Sequence, residues 1–255
     1  MPKFAIVSKD DAVSIKVATT IQKQLITAGF VYNDKTPDLV IAIGGDGTFL
    51  SAVHKYINRL DKTSFASVHT GTLGFFADCT VKELKSFISS VTTTRPTLEQ
   101  RKLMKVQVGD EIYYALNEIR IESIRTLSID VLIDGKKMET FHGSGLCLST
   151  QTGSTAYTRS LGGAVIQPGL ELLELSEING IHHNYYRSLN NSLILSGSTE
   201  VKFKMNNLNE AKLCFDRFSI DLNKDEITCA LSDKKVRIAH YHPLDWMKNF
   251  EQLFS

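Results

Sequence analysis

The stretch from Leu39 to Leu50 constrains the fold most, because an apolar strand in it runs directly into a glycine-rich turn. Val40–Ile43 is short, continuous and aliphatic, which is typical of a strand buried on both faces. Two glycines follow, and an apolar helical pattern begins just after Thr48. A strand, a glycine turn and a helix N-terminus in this order offer backbone N–H groups and a favourable helix dipole to an anion. The stretch therefore predicts a phosphate site in an α/β domain.

Asp46 is the unexpected member of this turn. A carboxylate repels phosphate unless a metal ion or a proton offsets its charge, so Asp46 indicates phosphoryl-transfer chemistry. Its neighbours Gly44, Gly45, Gly47 and Thr48 are candidates to cradle phosphates. Glycine and aspartate are also ordinary turn residues, and a plain tight turn stays open as an alternative. The spacing matches neither the dinucleotide fingerprint nor the P-loop.

Composition and charge exclude several classes of protein. The 255 residues are 42% hydrophobic and 22% charged, as in ordinary globular proteins of one large or two small domains. A net charge of +1 gives no basis for binding nucleic acid or a membrane surface. No apolar run approaches the roughly 18 residues of a membrane span, and Met1–Val7 resembles a strand rather than a signal peptide. We therefore expect a cytoplasmic protein.

The cysteines and histidines do not predict a metal site. Cys79, Cys147, Cys214 and Cys229 lie far apart in sequence without a Cys-x-x-Cys pair, so we expect buried free thiols in a reducing compartment. His240 and His242 would share a strand face, but no further cluster of ligands supports them.

Strands and helices alternate in the first part of the chain, which predicts a parallel sheet with helices on both faces. The predicted elements are strands over Phe4–Val7, Val40–Ile43 and Ser64–Val68, and helices over Ser14–Ala28, 49–57 and 80–90. Thr80 and Glu83 predict a capping box at the start of the last helix. Ligands bind at the carboxyl ends of such strands, so we expect Gly44–Thr48 and Thr70–Gly74 to line one crevice.

After Arg95-Pro96 the pattern changes to short alternating strands. We therefore expect an α/β nucleotide-binding domain over residues 1–97 and a β-rich, sandwich-like domain over residues 98–255, giving an α+β protein. Predicted strands include Leu103–Val108, Ile112–Leu116, Ile119–Ile121, Leu127–Ile133 and Lys137–Phe141. Asp134-Gly135 predicts a hairpin turn, and Asp245–Phe254 predicts a closing amphipathic helix.

Two further polar blocks carry possible chemistry. Leu146–Tyr157 again reads as strand, polar turn and helix, and the Tyr157 ring could lie against a base. A helix cap by Thr152 or Ser154, with Tyr157 in the core, is an equal alternative. The adjacent amide and carboxylate of Asn117-Glu118 could recognise an adenine edge or a ribose, although a surface turn also explains them.

Taken together, these blocks resemble the NAD kinase family, and the resemblance extends from about Ala5 to the end of the chain. The matching segments, in the order and approximate spacing of the family, are Gly44–Thr48, Arg101 before Leu103-Met104, Asn117-Glu118, Thr152–Tyr157 and Leu161–Ala164. The resemblance implies an N-terminal α/β domain, a C-terminal β-rich domain and a homo-oligomer, with a tetramer the common form.

The resemblance also implies a reaction. The γ-phosphoryl group of ATP, or a phosphoryl group of inorganic polyphosphate, would pass to the 2′-hydroxyl of the adenosine ribose of NAD, giving NADP. Asp46 would accept the hydroxyl proton, and Mg²⁺ or another divalent cation would enter with ATP. Asn117 and Glu118 would hold the nucleotide. The residues implied around the adenine and ribose are Thr155, Ala156, Tyr157 and Ser160, with Phe75 beside the ring. Thr152, Thr158 and Arg159 are implied as further substrate-binding residues.

Three departures from the family pattern bear on substrate binding. In His142-Gly143-Ser144, Ser144 stands where the family carries an aspartate, at the end that would meet the distal ribose or nicotinamide. Gln151 replaces a usual proline, which would leave the following loop less rigid. Asp216-Arg217-Phe218 keeps only part of a family Asp-Gly-Gln. Because Asp46 is intact, we expect activity with altered dinucleotide affinity.

Two other functions compete with this interpretation. A lipid kinase of the diacylglycerol or sphingosine type shares the Gly44–Thr48 pattern but leaves Asn117-Glu118 and Thr152–Tyr157 unexplained. A non-catalytic dinucleotide sensor would fit the changes at Ser144 and Gln151. Labelling of a lipid acceptor would identify the first, and an Asp46→Asn variant that still binds and signals would identify the second.

Overall fold

The apolar stretch around Val40 forms a strand whose residues are all buried, β3 (Leu39–Gly44). The computed structural model describes residues 1–71, 74–243, 246–247 and 250–251. The chain divides into two compact units, Met1–Arg101 with Lys234–Ser255, and Lys102–Asp233.

The first unit is a parallel α/β sheet in which β3 is central. Its elements are β1 (Lys3–Ser8), α1 (Ala12–Thr27), β2 (Val31–Tyr32), β3, α2 (Asp46–Lys55), β4 (Ser64–His69), β5 (Cys79–Thr80), α3 (Leu84–Thr93) and the end of β15 (Glu226–His240). The strand order is β2-β1-β3-β4-β15, and Val40 pairs with Ala5 and Phe65. The predicted parallel sheet is therefore confirmed.

Local signals explain where the helices of this unit begin. Asp11 caps α1 by accepting the Ser14 N–H at 2.9 Å. Thr80 and Glu83 form the predicted capping box, and a short 3₁₀ turn over Val81–Glu83 leads into α3. The helix predicted over 49–57 ends earlier, at Lys55. Buried side chains of α1 and α3, such as Ile21 and Phe87, pack with the sheet to form the core.

The second unit is β-rich and mostly antiparallel. Its remaining elements are β6 (Thr97–Val108), β7 (Glu111–Ala115), β8 (Glu118–Ile133), β9 (Lys136–Thr150), α4 (Tyr157–Ser160), β10 (Leu172–Gly180), β11 (Leu193–Ser196), β12 (Val201–Met205), β13 (Lys212–Phe215) and β14 (Phe218–Asp221). Strand order is β11-β10-β9-β8-β12-β15, with β13 also paired to β8. The predicted combination of an α/β part and a β-rich part is confirmed.

Turn chemistry and one irregularity shape the long hairpin of β8 and β9. Asp134 and Gly135 have φ values of 48° and 77°, as the predicted two-residue hairpin turn requires. The two strands predicted around Ile119–Ile121 and Leu127–Ile133 are one strand, because a register shift between Glu122 and Leu127 absorbs the residues between them.

Other sequence predictions have mixed outcomes. All four cysteines are buried and free, as expected. The predicted closing helix over Asp245–Phe254 falls largely on residues 244–245, 248–249 and 252–255, which lie outside the described residues. Within the described part of the chain, no helix combines the length and apolarity needed to cross a membrane.

Replacing Phe203 should test the packing of the second unit. Phe203 on β12 is fully buried, and Phe203→Ala should lower the free energy of unfolding by about 3–5 kcal/mol through lost burial and a cavity. Ile124 is 96% exposed, so Ile124→Ala should change it by less than about 0.5 kcal/mol. Chemical denaturation followed by circular dichroism measures both. Equal effects of the two substitutions would contradict the packing described here.

Candidate active site

Asp46 lies at the start of α2, directly after the turn that ends β3. Its carboxylate accepts the N–H of Phe75 at 3.0 Å and the N–H of Phe76 at 3.2 Å. His69 Nε2 lies 3.3 Å from Asp46 Oδ1, and the His69 side chain is 1% exposed while that of Asp46 is 33% exposed. The carboxylate is therefore fixed on one side and open on the other, a geometry that suits a group exchanging a proton with a substrate.

Two glycines permit this close packing. Gly44 has a φ of +153°, and a Cβ there would overlap the side chain of Thr48. A Cβ on Gly74 would overlap both the Asp46 carboxylate and the His69 ring. Any side chain at Gly74 would therefore displace Asp46 from its backbone donors.

The rest of the glycine turn faces open space. A Cβ on Gly45 or Gly47 would meet no atom within 4 Å, and no side chain caps the N-terminus of α2. The Thr70 N–H donates to the Gly44 carbonyl at 3.3 Å, so the predicted segments Gly44–Thr48 and Thr70–Gly74 do meet. Thr72 and Leu73 lie outside the described residues. A helix N-terminus beside open space is a suitable seat for phosphate.

In the second unit, Asp216 holds the Asn117-Glu118 pair in place. Its carboxylate accepts the Leu116 N–H at 2.9 Å and the Asn117 N–H at 2.7 Å, while its own N–H donates to the Glu118 carbonyl at 3.0 Å. Asp216 has a positive φ of 51°, which an aspartate in a tight turn tolerates. The pair is buried and ordered, unlike the surface turn that was its alternative interpretation.

The threonine-rich loop packs directly against this pair. The Thr150 hydroxyl donates to the Leu116 carbonyl at 2.6 Å and accepts the N–H groups of Thr152 and Gly153. A Cβ on Gly153 would overlap the backbone of Asn117. The structure thus brings the Asn117-Glu118 pair together with the segment from Thr152 onward.

Two buried polar atoms of the pair are not satisfied within the described part of the chain. Asn117 Oδ1 and Glu118 Oε2 have no hydrogen-bond partner among the described residues. Burial, reinforced by the charge of Asp216, raises the pKa of Glu118 to about 8, although Arg120 and the Tyr157 N–H oppose the shift. At neutral pH the Glu118 carboxyl is therefore mostly protonated and can both donate and accept. Such unpaired groups are costly unless a bound molecule satisfies them.

The residues predicted to face a ligand after Thr152 lie in a 3₁₀ turn over Thr152–Thr155 and in the short helix α4 that follows it. Tyr157 is partly exposed rather than in the core. The Arg120 guanidinium lies 4.2 Å from the centre of its ring. Thr152 is buried and Thr158 fully so, whereas Arg159 and Ser160 are exposed. Thr155 and Ala156 are half-buried at the turn between them.

Gln151 contributes a contact that a proline could not make. Its amide donates to the Ile166 carbonyl at 2.9 Å, and its φ of −51° is close to the value that proline imposes. The Ser154 hydroxyl donates to the Gln151 carbonyl at 2.8 Å and accepts the Ile166 N–H at 3.0 Å. Side-chain hydrogen bonds therefore hold this loop in place.

His142 and Ser144 both lie on β9, and Ser144 lines a cavity separate from the Asn117-Glu118 pair. Ser144 borders a cavity of about 740 Å³ with Glu122, Lys212 and Asp221, and neither Asn117 nor the loop after Gln151 lines it. The His142 ring centre lies 3.9 Å from that of Tyr186, and burial lowers the pKa of His142. Their predicted contact with the dinucleotide stays a prediction.

Sequence reasoning missed several supporting residues. His69 ends β4 just as the Asp46 turn ends β3, so the rule that sites form at the carboxyl ends of parallel strands could have found it. Thr150 and Arg120 act through contacts distant in sequence that no local pattern marks. Asp216 acts in the same way, and the sequence marks it only as part of an incomplete family Asp-Gly-Gln. Among the described residues, no group of three or more histidine, cysteine or acidic side chains could hold a metal ion.

Comparisons with known proteins agree with these features. Residues 5–95 match the model of the ATP-NAD kinase N-terminal domain, and residues 109–241 match that of the ATP-NAD kinase C-terminal domain. The NAD kinase of Geobacillus stearothermophilus is 38% identical over 260 residues, which cover 98% of this chain and 96% of that protein. NAD kinase 1 of Bacillus subtilis (strain 168) is 38% identical over 261 residues, with coverage of 99% and 98%.

The chain belongs to the NAD kinase family. The resemblance drawn from the motifs and the expected enzyme class, a kinase, are thereby confirmed, and neither the lipid kinase nor the sensor has support.

Solved structures share the fold. Yeast NADH kinase complexed with NADH superposes with a TM-score of 0.85 and 21% identity, over 100% of this chain and 87% of that one. An NAD kinase from Archaeoglobus fulgidus in complex with ATP gives a TM-score of 0.78 and 21% identity, over 99% and 97%.

Glu118 should make the stability of this NAD kinase family member depend on pH. Its folded pKa of about 8 exceeds the ordinary value of 4.5, so its stabilising contribution is complete below the ordinary pKa and is lost as pH rises through about 8. Melting temperatures of Glu118→Gln across this range should therefore fall less steeply than those of the unmodified protein.

Glu200 provides the control for this measurement. Its side chain is exposed, so Glu200→Gln should keep the pH dependence of the unmodified protein. Parallel curves for all three proteins would show that Glu118 ionises in the folded state as it does in the unfolded chain.

Proposed function

We propose that this chain transfers the γ-phosphoryl group of ATP to the 2′-hydroxyl of the adenosine ribose of NAD, forming NADP, with Asp46 as the catalytic base. In this reaction the ribose 2′-oxygen bonds to the γ-phosphorus, and the bond from that phosphorus to the β–γ bridging oxygen breaks as ADP leaves. The hydroxyl proton passes to the Asp46 carboxylate. The half-exposed position of that carboxylate, beside a glycine turn at a helix N-terminus, is the observation that carries the proposal.

The first unit would position the reacting groups. The N–H groups of Phe75 and Phe76 fix the orientation of Asp46, so that one carboxylate edge stays available to the hydroxyl. The open turn at Gly45 and Gly47 gives phosphate oxygens access to the N-terminus of α2. Phosphoryl transfer needs this kind of positioning more than it needs covalent chemistry.

A divalent cation, Mg²⁺ in the simplest case, would arrive bound to the phosphates of ATP and neutralise charge near Asp46. The donor set fits this arrangement, because Asp46 is a lone carboxylate in the turn and the described residues form no cage of metal ligands. Magnesium commonly binds through one or two carboxylates and substrate phosphates rather than a protein cage.

The second unit would hold the adenosine of NAD. Unpaired Asn117 Oδ1 and Glu118 Oε2 offer buried partners to the hydroxyl and amino groups of a nucleoside. The partly exposed Tyr157 ring, backed by Arg120, offers an aromatic face to the base. The remaining proposed contacts are Phe75, Thr152, Thr155, Ala156, Thr158, Arg159 and Ser160.

Other expectations from the resemblance stay predictions. These are a homotetramer, the use of inorganic polyphosphate, a cytoplasmic location, and contacts of His142 and Ser144 with the distal end of the dinucleotide.

Asp46→Asn should test the catalytic proposal. The amide keeps the size of the side chain and can still accept one backbone N–H, but it cannot take up the hydroxyl proton. We expect kcat for NADP formation to fall by about 100- to 10,000-fold, with the Kd for NAD changed less than about threefold. A coupled NADP assay and calorimetric titration of NAD measure the two quantities. Near-normal kcat in this variant would refute the role given to Asp46.

Gly74→Ala should disturb the same carboxylate from its neighbouring loop. The new methyl group would overlap Asp46 and His69, so kcat should fall by about 100-fold through misplacement of the base. Gly71 in the same loop has no atom within 4 Å of a Cβ, so Gly71→Ala should retain nearly full activity. Steady-state kinetics on the two variants separates a specific clash with Asp46 from a general effect on the loop. Equal activities of the two variants would contradict the clash.

A further inference from the structure

A network of charged side chains, largely shielded from solvent, includes Asp78, which lies close in sequence to the loop that holds Asp46. His240 Nε2 lies 3.2 Å from Glu99 Oε2, and His240 Nδ1 lies 3.6 Å from Asp78 Oδ1. The side chains of His240, Asp78 and Glu99 are 5%, 2% and 20% exposed. Arg101 completes the network through Glu99 Oε1 at 2.7 Å. Nothing in the proposed phosphoryl transfer uses these residues.

Asp78 connects this network to the catalytic loop. Only Ala77 separates it from Phe76, whose N–H binds the Asp46 carboxylate. The Asp78 N–H donates to the Ser67 carbonyl at 3.1 Å, and Asp78 Oδ1 accepts the Tyr241 N–H at 3.0 Å. The segment 74–78 is therefore held near one end by the Asp46 carboxylate and at the other end by the contacts of Asp78 with Ser67 and Tyr241.

The opposite side of this segment packs on the same helix that carries Asp46. The Phe76 ring stacks on Phe49 of α2, with ring centres 4.4 Å apart and an angle of 11°. Gly74 lies directly against the Asp46 carboxylate. A shift of Asp78 would thus reach the N–H groups of Phe75 and Phe76 through a short, packed chain.

We propose that His240 is a positioning residue for Asp46: its charged imidazolium, paired with Asp78 and Glu99, fixes the segment 74–78 whose N–H groups hold the catalytic carboxylate. Loss of the imidazolium charge leaves the buried Asp78 carboxylate poorly compensated, and the segment relaxes. The inference rests on the proposed role of Asp46. It adds His240 as a residue that affects turnover without touching the reacting atoms.

The charges around His240 favour its protonated form. Burial opposes the charge, but the carboxylates of Asp78 and Glu99 outweigh it and raise the pKa of His240 to about 9. Burial likewise opposes the charge of Glu99, and its contacts with His240 and Arg101 lower its pKa on balance. The charged network therefore persists through neutral pH and is lost as pH rises through about 9.

Other groups face the same network. His242 Nδ1 lies 3.4 Å from Asp78 Oδ2, and its Nε2 lies 3.2 Å from the Ser86 hydroxyl. The neighbouring phenol titrates above this range, since burial and Asp78 raise the pKa of Tyr241 to about 12. The thiol of Cys79 also has its pKa raised by burial. Of these, His240 is the group in contact with both buried carboxylates.

The test compares pH profiles of kcat in the full chain, from about pH 6.5 to about pH 10, a range that spans the titration of His240. In the unmodified protein kcat, measured at saturating NAD at each pH, should fall about tenfold as pH passes about 9 while the protein stays folded. Glu99→Gln removes one carboxylate partner, so the pKa of His240 drops and the fall should move to lower pH. His240→Arg keeps the positive charge at every pH in this range, so the alkaline fall in kcat should disappear.

Matched controls separate this inference from its premise. His54→Gln, in the last turn of α2, should leave the alkaline fall unchanged. Asp46→Asn tests the catalytic role independently, since its activity is low at every pH. An alkaline fall that stays in place in Glu99→Gln, or that accompanies a drop in melting temperature below the assay temperature, would overturn the inference even with Asp46 confirmed as the base. If His240→Arg does not fold, the shift in Glu99→Gln alone decides.

Discussion

Two backbone hydrogen bonds hold the Asp46 carboxylate at the N-terminus of α2, and the rest of the site depends on them. Because a carboxylate repels phosphate, the proposed phosphoryl transfer needs Asp46 to be held in a defined orientation and its charge to be offset. Fixed by Phe75 and Phe76, the carboxylate presents one edge outward while His69 supports the other. The strand β3 supplies the rigidity, because its buried aliphatic residues lock the start of the turn into the sheet.

The same principle governs the second unit, where a carboxylate also organises backbone. Asp216 gathers the N–H groups of Leu116 and Asn117, and Gly153 brings the following loop against them. The result is a pair of buried polar side chains with unsatisfied atoms. Proteins seldom leave such atoms unpaired, and in the proposed function the adenosine of NAD would pair with them.

Much of the fold and part of the site could be predicted from the sequence, because the signals for them lie within a few residues of each other. The β3 turn and the capping box at Thr80 are encoded within a few residues, as is the hairpin at Asp134-Gly135. The parallel sheet followed from the alternation of strands and helices. Reading Asn117-Glu118 as a surface turn failed as an alternative because its burial depends on Asp216, almost a hundred residues away.

What could not be predicted depends on tertiary contacts. Nothing local indicates that Arg237-Ile238 pairs with Ser64-Phe65, although that pairing brings His240 to Asp78. Nor does any pattern show that Glu122 and Leu127 belong to one irregular strand. Glycine patterns marked flexible positions, but only the three-dimensional structure distinguishes Gly74, which touches Asp46, from Gly71, where a Cβ would meet no described atom within 4 Å.

The central claim is that the Asp46 carboxylate meets the sugar oxygen that becomes phosphorylated. A crystal structure of this chain with NAD bound measures that contact directly. We expect the adenosine 2′-oxygen to lie within about 3 Å of an Asp46 carboxylate oxygen, the reach of a general base. A 2′-oxygen directed elsewhere, with Asp46 facing only protein or solvent in the occupied site, would contradict it.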